Sequence, residues 1–416
     1  MKKVWILTQY AAPPQYETRI RNNAMAKCLI RAGYDVTIFS SSRIHNTNIN
    51  LITNGDLYIK SQYEDLKYIH INAPAYSGNG IKRKLNLLIY PWNLLKTVYK
   101  IDEKPDYIIN DLSVTAFDIP FKIAKYVNAP IVTEIRDLWP ESTIIYGYLK
   151  RTSIVAKILY AVERRMYIRS DKIVYTMEGW PDYIIRQGWQ EKIDLNKAVH
   201  INNGVDLESF NYNREKYHFY DSDLADENFF NVVYTGSIRT VNDIDKLLDI
   251  AKIIKISKIR FLIWGNGDKL IELKKRVINE KIKNVIFKGS VEKKYIPSIV
   301  SQANLNFAHN HSSELFQYGI SFNKIFDYFA AGRPILCDFS CRYNPIVQSK
   351  AGQAVESGDI RDIAKAIEKF SVMDKKQYNQ YCKNALRAAK EYDFSVLTNS
   401  MIKILHEISI EKKERI

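Results

Sequence analysis

A lysine follows closely after a Gly-Ile-Ser turn in the stretch YGISFNKIFDYFAAGRPIL at 318–336. The pattern predicts a helix that begins near Ser321 or Phe322 and runs to Ala331. The first turn of such a helix offers unpaired backbone N–H groups and the positive end of the helix dipole, which together bind anions. Lys324 falls in that turn, where a cation opposes the dipole of its own helix. That cost is explained if an anionic ligand binds there.

Asp327 lies three residues beyond Lys324, on the same face of the predicted helix. A carboxylate there can accept hydrogen bonds from a pair of sugar hydroxyls. The two side chains therefore suit a ligand that carries both phosphate and sugar. A modest surface salt bridge between them is the alternative.

Two strand ends that contain glycine are candidates for the same kind of site. The strand FLIW leads into Gly265 and Gly267, and the strand end YTGSIR contains Gly236 and Arg239. Glycine lets the backbone approach a ligand closely, although ordinary turns use it too. His309 follows the strand ANLNFA, where we expect it to contact the ligand rather than a metal.

A further polar group comes at the end of the strand PIVTEI in the first half of the chain. Glu134 lies in this strand, and Arg136 and Asp137 follow it directly. Ligands of open α/β sheets bind at the carboxyl ends of strands, so we expect these side chains to face a cleft. The alternative is a solvated loop in which Asp137 to Pro140 starts a helix.

Short β-rich runs, separated by helix-length segments, must position these groups. The runs are VWILTQY, DVTIFSS, DYIIND, PIVTEI, DKIVYT, AVHINN, NVVYTGS, IRFLIWG, NVIFKGS, ANLNFAH and RPILCD. Near-continuous apolar runs of this length indicate parallel sheets that are covered on both faces. The predicted fold class is α/β, with two doubly wound, Rossmann-like domains that face each other across a cleft.

The length of 416 residues favours two domains. We place an N-terminal domain at 1–205 and a C-terminal domain at 206–393. The first part of the second domain, about 206–229, is polar and without a clear period, and we interpret it as a linker. A helix over 394–416 is expected to pack back on the N-terminal domain.

The composition is that of a folded protein with a basic surface. Hydrophobic residues make up 46% and charged residues 26% of the chain, which excludes a disordered protein. The net charge of +15 indicates an anionic partner: nucleic acid, acidic lipid or a phosphorylated substrate. Four cysteines are too few for a disulfide framework and favour reduced thiols in the cytoplasm. Neither a signal peptide nor a membrane-spanning helix is predicted.

The segment 81–100, IKRKLNLLIYPWNLLKTVYK, carries five basic residues, Trp92 and several leucines, and no acid. Basic, aromatic and apolar side chains together suit the membrane interface. Pro91 predicts two short helices instead of one. We expect this segment to hold the protein on the anionic inner face of the plasma membrane. A helix that packs on the sheet and solvates its lysines is the alternative.

The stretch at 318–336 resembles the donor-nucleotide motif of the retaining glycosyltransferases of the GT-B fold, whose signature is Glu, seven residues, Glu, then Ala-Gly-x-Pro. The resemblance extends over nearly the whole chain, because further segments are similar to family segments in the usual order: Pro13-Pro14, MAKCLIRAGYDVTIFSS, VTEIRDLWPES, SDKIVYTMEG and INNGVDLESF. The form GIS-x-NK-x-FDY resembles a subgroup that makes bacterial surface polysaccharides from nucleotide N-acetylaminosugars.

The resemblance implies that Asp327 binds the ribose hydroxyls, that the Gly-Ile-Ser backbone N–H groups face the diphosphate and that Lys324 neutralises it. It implies that Gly236 and Arg239 border the phosphates and that Gly265 and Gly267 border the base. The implied donor-binding residues are Gly236, Arg239, Gly265, Gly267, His309, Gly319, Ile320, Ser321, Asn323, Lys324 and Asp327. The implied catalytic residues are Arg136, Asp137 and Lys324, of which the first two position the sugar and acceptor.

The chain departs from the family pattern in the first loop, where Gln15-Tyr16-Glu17 replaces a common Gly-Gly pair, and at three further positions. Gly319 stands where many members have the first Glu of the signature. Ser237 and Asn242 stand where many members have an Arg and a Lys, five residues apart, after the YTG strand. Arg239 is the cation nearest to these positions in sequence.

The resemblance implies a retaining hexosyltransferase that moves a sugar, an N-acetylaminosugar, from a UDP-linked donor to a polyprenyl-diphosphate-linked saccharide of O-antigen or capsule. Lysine and backbone N–H groups can stabilise the leaving diphosphate, so neither a metal nor another cofactor is expected. The Asp-x-Asp strings at 221–223 and 243–245 are not expected to bind metal. The alternatives are an epimerase or hydrolase of nucleotide sugars, and a nucleic-acid binder, for which we recognise no module.

Overall fold

The computed structural model describes residues 1–45, 47–76 and 80–414. It divides into two compact units. The first comprises Met1–Asn202 together with the C-terminal helix from Phe394, and the second comprises Asn203–Asp393. Each unit is an α/β layer structure around its own sheet, which is mostly parallel in the first unit and parallel in the second, as the alternating pattern predicts.

The first unit contains an eight-stranded sheet in the order β3-β4-β2-β1-β5-β6-β7-β8. Its strands are β1 (Lys3–Thr8), β2 (Asp35–Ser41), β3 (Tyr58–Tyr63), β4 (Leu66–Ile71), β5 (Tyr107–Asp111), β6 (Ile131–Ile135), β7 (Lys172–Tyr175) and β8 (Ala198–His200). Only β3 runs antiparallel to its neighbour. The helices of this unit are α1 (Arg21–Arg31), α2 (Ile81–Val98), α3 (Ile119–Val127), α4 (Glu141–Ile145), α5 (Ile154–Arg169), α6 (Trp180–Arg186) and α16 (Phe394–Glu414).

The second unit contains a six-stranded parallel sheet in the order β11-β10-β9-β12-β13-β14. Its strands are β9 (Phe230–Thr235), β10 (Ile259–Trp264), β11 (Val285–Gly289), β12 (Leu305–Ala308), β13 (Ile335–Cys337) and β14 (Gly352–Ala354). Its helices are α7 (Leu207–Lys216), α8 (Ser222–Ala225), α9 (Ile244–Ile253), α10 (Leu270–Asn279), α11 (Ile296–Gln302), α12 (Asn323–Ala331), α13 (Pro345–Gln348), α14 (Ile360–Ser371) and α15 (Lys375–Glu391).

All eleven predicted strands are present, but three further strands were missed. The hairpin of β3 and β4 turns at Glu64, which has a φ of 53°. Its outer strand, YIKSQY, is polar and partly exposed, so it lacks the apolar run that marks the central strands. The third missed strand, β14, is only three residues long and lies at the other sheet's edge.

The segment 206–229, predicted as a linker, contains two helices, α7 and α8. The side chain of Asp206 caps α7 and that of Asp221 caps α8. Phe210 is buried in the hydrophobic core around α12. The segment looks irregular in sequence because each of its short helices buries a single side chain.

Helix α2 is continuous, although Pro91 predicted two pieces. Proline removes one helical hydrogen bond, which usually breaks or kinks a helix. Here Tyr90, Pro91 and Leu94 are buried together, and the Tyr90 hydroxyl donates to the carbonyl oxygen of Thr8 at 2.6 Å. Packing on both sides of the proline therefore compensates for the lost bond.

The C-terminal helix α16 packs in the core of the first unit. Met401, Ile404, Leu405 and Ile408 lie in the same cluster as alternate residues of β1 and β2 and residues of α1. Among the described residues, no helix is both long and apolar enough to cross a bilayer.

A buried carboxyl group links α5 and α6. Tyr167 and Tyr183 donate hydrogen bonds of 2.7 and 2.8 Å to the two carboxyl oxygens of Glu163, which is fully buried. Burial raises the pKa of Glu163 to about 8, and the two tyrosine hydroxyls oppose this shift.

The stability of the first unit should therefore depend on pH. Between pH 4.5 and pH 8, folded Glu163 holds a proton that the unfolded chain has released, so stability falls as the pH rises through this interval. The slope is roughly 1.4 kcal/mol per pH unit. The side chain introduced by Glu163→Gln cannot titrate. Urea unfolding across this interval should therefore show that the free energy of unfolding of the variant rises relative to that of the wild type as the pH rises. Parallel stability curves for the two proteins would contradict this assignment.

Candidate functional site

The N-terminus of α12 follows β12 and a 3₁₀ turn at Glu314–Tyr318, in the position that the sequence predicts. Phe322 is the N-cap residue and provides no side-chain cap. The first N–H groups of a helix have no carbonyl within the helix, so those of Asn323 and Lys324 are oriented to bind an external acceptor.

Lys324 is half-buried at this helix start. Its Nζ lies 3.4 Å from the Tyr234 hydroxyl, 3.5 Å from the carbonyl oxygen of His309 and 4.4 Å from the centre of the Tyr234 ring. Burial lowers the pKa of Lys324 to about 8, whereas the charge of Asp338 opposes the shift. An anion bound here would stabilise the ammonium form.

Asp327 is half-buried one turn further along the helix. Burial raises the pKa of Asp327 to about 6, against the opposing charge of Lys293. Among the ion pairs of the described residues, none joins Asp327 to Lys324, so the simple salt bridge is not formed. The carboxylate is therefore available for a ligand hydroxyl.

The backbone N–H of Gly319 is bonded within the protein, although the resemblance implies that it faces the diphosphate. Its N–H donates to the carbonyl oxygen of Phe316 at 3.0 Å and ends the 3₁₀ turn. Its φ of 99° lies in the region that favours glycine, so this residue shapes the turn.

The three other predicted residues at the start of α12, Ile320, Ser321 and Asn323, lie in different surroundings. Ile320 is buried in the core around α12, and Asn323 is exposed. Ser321 accepts a hydrogen bond at its Oγ from the N–H of Asn203 at 3.1 Å, and its carbonyl oxygen accepts one from the Asn203 side chain at 2.8 Å. These bonds fix the approach of the chain to α12.

The glycines after β9 and β10 allow two loops to pack backbone against backbone. A Cβ on Gly265 would lie 1.8 Å from the Gly236 carbonyl oxygen, and a Cβ on Gly267 would lie 2.1 Å from that of Ile238. The N–H of Ile238 donates to the Asn266 carbonyl oxygen at 3.0 Å. Loop packing thus explains Gly265 and Gly267 without a ligand, and a base contact stays a prediction.

Gly236 lies beside the candidate cation, since a Cβ there would be 3.2 Å from Lys324 Nζ. Arg239 is exposed on the same loop. The Ser237 hydroxyl donates to Asn242 Oδ1 at 2.6 Å, so the positions of the family's Arg and Lys are occupied by a neutral hydrogen-bonded pair. Lys324 is therefore the cation that the structure brings to this glycine.

His309 is not available to contact a ligand through its ring. Its Nε2 lies 2.7 Å from the Asp243 carbonyl oxygen, which can only accept, and its Nδ1 lies 2.6 Å from the Asp338 carboxylate. Lys246 Nζ is 3.3 Å from the same carboxylate oxygen. Burial opposes ionisation of Asp338, but the charges of His309 and Lys246 hold its pKa below the usual value. Both ring nitrogens of His309 are therefore bonded within the protein, and its carbonyl oxygen lies 3.5 Å from Lys324 Nζ.

In the first unit, Arg136 is held by carboxylates at the ends of two neighbouring strands. Its Nη1 lies 2.9 Å from Asp111 Oδ2, and its Nε lies 3.9 Å from Glu134. Burial alone would lower the pKa of Arg136, but Asp111 and Glu134 raise it. Asp137 is exposed beside this network.

A buried ion pair supports the same strand end. Arg21 makes two hydrogen bonds to Glu134, of 2.8 and 3.0 Å, and both side chains are almost fully buried. Arg21 also donates to the carbonyl oxygens of Ile201 and Asn202. It thereby joins α1 to β6 and to the end of β8.

Four residues of these networks were missed as site residues: Arg21, Asp111, Lys246 and Asp338. Asp111 closes the predicted strand DYIIND, and Asp338 closes RPILCD. An acid at the carboxyl end of a parallel strand is a signal that could have identified both. The expected catalytic residues are divided between the units, with Arg136 and Asp137 in the first and Lys324 in the second.

Both Asp-x-Asp strings form ion pairs within the protein. Lys288 Nζ lies 2.7 Å from Asp221 and 2.5 Å from Asp223, and Arg276 lies 3.1 Å from Asp245. Within the part of the chain that the structure describes, no group of three or more His, Cys, Asp or Glu side chains is arranged to hold a metal ion.

Two family models match the chain, one in each unit. Residues 18–197 match the glycosyl transferase 4-like domain, and residues 218–388 match the glycosyl transferases group 1 family. No curated protein matches the chain significantly.

Solved structures similar to this chain include three enzymes or enzyme complexes. HepE from Anabaena, solved with UDP and glucose, is 13% identical, with 98% of this chain and 100% of that chain covered and a TM-score of 0.66. A glycosyltransferase from Rickettsia africae is 16% identical, with 98% of each chain covered and a TM-score of 0.65. The α,α-trehalose 6-phosphate synthase from Burkholderia multivorans is 10% identical, with 100% and 98% covered and a TM-score of 0.72.

At identities this low, similarity to solved structures shows the fold alone. The family models identify the type of domain that each unit matches. Residues 18–197 therefore match a glycosyl transferase 4-like domain and residues 218–388 match a glycosyl transferases group 1 domain, and the two Rossmann-like sheets have the fold of GT-B glycosyltransferase structures.

Proposed function

We propose that this protein transfers an N-acetylaminosugar, with retention, from a UDP-linked donor to a polyprenyl-diphosphate-linked saccharide during synthesis of a bacterial surface polysaccharide. The observation that carries the proposal is the start of α12, where Lys324 lies in the first turn beside N–H groups that have no partner within the helix, and Asp327 follows on the same helix. The complex of HepE with UDP and glucose supports UDP as the nucleotide. The subgroup motif GIS-x-NK-x-FDY supports the sugar and the pathway class.

The chemistry needs stabilisation of the leaving diphosphate. As the bond between the anomeric carbon and the β-phosphate oxygen breaks, Lys324 Nζ and the α12 N–H groups offset the growing negative charge. The acceptor hydroxyl attacks the anomeric carbon from the same face, and a β-phosphate oxygen takes its proton. Asp327 accepts hydrogen bonds from the ribose hydroxyls. These groups perform the electrostatic role of a metal, so the reaction is metal-independent.

The first unit binds the acceptor. Arg136 is fixed by Asp111 and Glu134 at the end of β6, and Asp137 is exposed next to it. The Arg136 guanidinium can donate hydrogen bonds to the hydroxyl groups of a saccharide, and the Asp137 carboxylate can accept hydrogen bonds from them. Both residues are thus assigned to positioning the acceptor and the transferred sugar.

Donor binding is tested by calorimetric titration with UDP, GDP, ADP and CMP in EDTA. We expect UDP to bind the wild type, to bind Lys324→Ala at least tenfold more weakly and to bind Lys369→Ala normally. Lys369 is an exposed lysine in the last turn of α14 and serves as the matched control. Loss of UDP binding or of sugar transfer in EDTA would contradict a metal-independent site.

Helix α2 provides the membrane contact in this proposal. Ile81, Leu85, Leu88 and Trp92 are 44–76% exposed beside its basic residues, while the opposite face packs on the sheet. A helix with exposed apolar and basic side chains binds an anionic bilayer by lying in the plane of the membrane interface. The protein is accordingly assigned to the cytoplasmic face of the plasma membrane as a peripheral protein.

Vesicle flotation tests this attachment. The wild type should float with vesicles of phosphatidylglycerol and phosphatidylcholine, and the double variant Leu85→Ser/Leu88→Ser should bind them several-fold less because it loses buried apolar area. Ile271→Ser, on an exposed apolar residue of α10, is the control and should float like the wild type. Equal flotation of all three proteins would remove α2 from the membrane contact.

A further inference from the structure

Three aromatic or imidazole side chains cluster at the carboxyl edge of the first sheet. Tyr10, His45 and Tyr76 follow β1, β2 and β4, which are adjacent parallel strands in that sheet. The Tyr10 and His45 rings lie 4.9 Å apart, and His45 Nδ1 lies 2.5 Å from the Tyr76 hydroxyl. This edge is where open α/β sheets bind their ligands.

Two arginines act on this cluster from different elements. The guanidinium of Arg19, in the loop before α1, lies over the Tyr10 ring at 5.2 Å from its centre. Burial raises the pKa of Tyr76 to about 12, while the charges of Arg83 and Arg19 both oppose the shift. Arg19 thus adjoins the cluster through its contact with the Tyr10 ring.

Arg83 is directed to this edge by the way α2 is anchored. Asn86, one turn later on the same helix face, is buried and accepts a 2.7 Å hydrogen bond from the Gln9 side chain. Its own amide donates to the Pro74 carbonyl oxygen, also at 2.7 Å. The helix is thus tied to the chain after β1 and to the chain after β4.

We propose that Arg19, Arg83 and the Tyr76 hydroxyl bind the diphosphate group of the lipid-linked acceptor. Guanidinium groups bind phosphate oxygens through paired hydrogen bonds, so two of them and a hydroxyl supply enough donors for both phosphate groups of a diphosphate. Tyr10 and His45 position Arg19 and Tyr76. The inference rests on the proposed function, because that function supplies the lipid-linked acceptor.

The position of the cluster favours a lipid-linked diphosphate over a free one. Arg83 is on α2, whose exposed apolar residues Ile81, Leu85 and Leu88 lie within two turns of it. A prenyl chain attached to a diphosphate at Arg83 could therefore follow the apolar side of this helix into the bilayer. No such path is needed for a free diphosphate.

Titration with farnesyl diphosphate, below its micellar concentration, tests the site in the full-length Lys324→Ala protein, where diphosphate binding at α12 is weakened. Arg19→Gln and Arg83→Gln should each weaken binding about tenfold, and Tyr76→Phe about threefold. Arg31→Gln, at the exposed far end of α1, is the matched control and should bind normally. Thermal unfolding of each variant establishes that it is folded.

The outcomes separate this inference from the proposed function. Unchanged binding in Arg19→Gln and Arg83→Gln, or an equal loss in Arg31→Gln, would overturn the site even if UDP binds at α12. Equal affinity for inorganic pyrophosphate and farnesyl diphosphate would overturn the lipid assignment, whereas tighter binding of farnesyl diphosphate supports it. UDP titration of the two arginine variants with Lys324 intact should match the wild type, and failure of UDP to bind any of them would count against the proposed function alone.

Discussion

Replacing Lys324 with alanine should lower sugar transfer by about a hundredfold or more while the protein stays folded. Removal of one preorganised donor to a developing negative charge typically costs 10²–10³ in turnover. Lys324 Nζ makes only long contacts within the protein, to the Tyr234 hydroxyl and the His309 carbonyl oxygen, so its loss should change the thermal midpoint little. Initial rates with a UDP-sugar and a lipid-linked acceptor measure the effect, with Lys369→Ala as the control. Turnover close to that of the wild type would remove Lys324 from the site.

The pKa values of Lys324 and Asp327 predict how the affinity for the donor depends on pH. Asp327 becomes protonated as the pH falls through about 6, and Lys324 loses its proton as the pH rises through about 8. Affinity for a UDP-sugar, whose phosphates do not titrate in this interval, should therefore be greatest between these values. Lys324→Met should abolish the loss at high pH and Asp327→Asn the loss at low pH. If both losses persist in both variants, other groups cause them.

Arg21→Gln should destabilise the first unit by about 3–5 kcal/mol, the usual cost of leaving one member of a buried ion pair unpaired. The substitution leaves the Glu134 carboxylate, which is 2% exposed, with only the 3.9 Å contact to Arg136, and it also removes donors to Ile201 and Asn202. Urea unfolding measures the loss, with the exposed Arg31→Gln as control.

The double variant Arg21→Met/Glu134→Leu distinguishes pairing from packing. It removes both charges and fills the space with apolar atoms, so we expect it to recover much of the stability lost by the single variant. A single variant no less stable than Arg31→Gln would show that the pair contributes nothing to the fold.

The apolar runs of the sequence predict the central strands of both sheets because burial on both faces requires nearly every residue to be apolar. The same logic fails at β3, where no side chain is fully buried, and at α7, which buries only Phe210. The start of α12 was predictable within two residues, because glycine and a misplaced lysine mark it locally. These signals depend on neighbours in sequence.

Contacts between distant residues were not predictable in the same way. The ring of His309 is occupied by Asp243 and Asp338, which lie 66 and 29 residues away in sequence. The N–H of Gly319 is used by the turn that precedes it. Residue types alone favour both as ligand contacts, and only the fold shows which of their atoms are already bonded. The cluster of Arg19, Tyr76 and Arg83 was hidden for the same reason.

The return of α16 to the first unit has a consequence for synthesis on the ribosome. The second unit is a continuous segment, so its sheet can close while the following residues are still being made. The first unit, although translated earlier, lacks Met401, Ile404, Leu405 and Ile408 of its core until α16 emerges. The alternate apolar residues of β1 and β2 in that core stay incompletely covered during this interval. Nascent chains that stall before α16 should therefore recruit chaperones through the first unit, although it was the first to leave the ribosome.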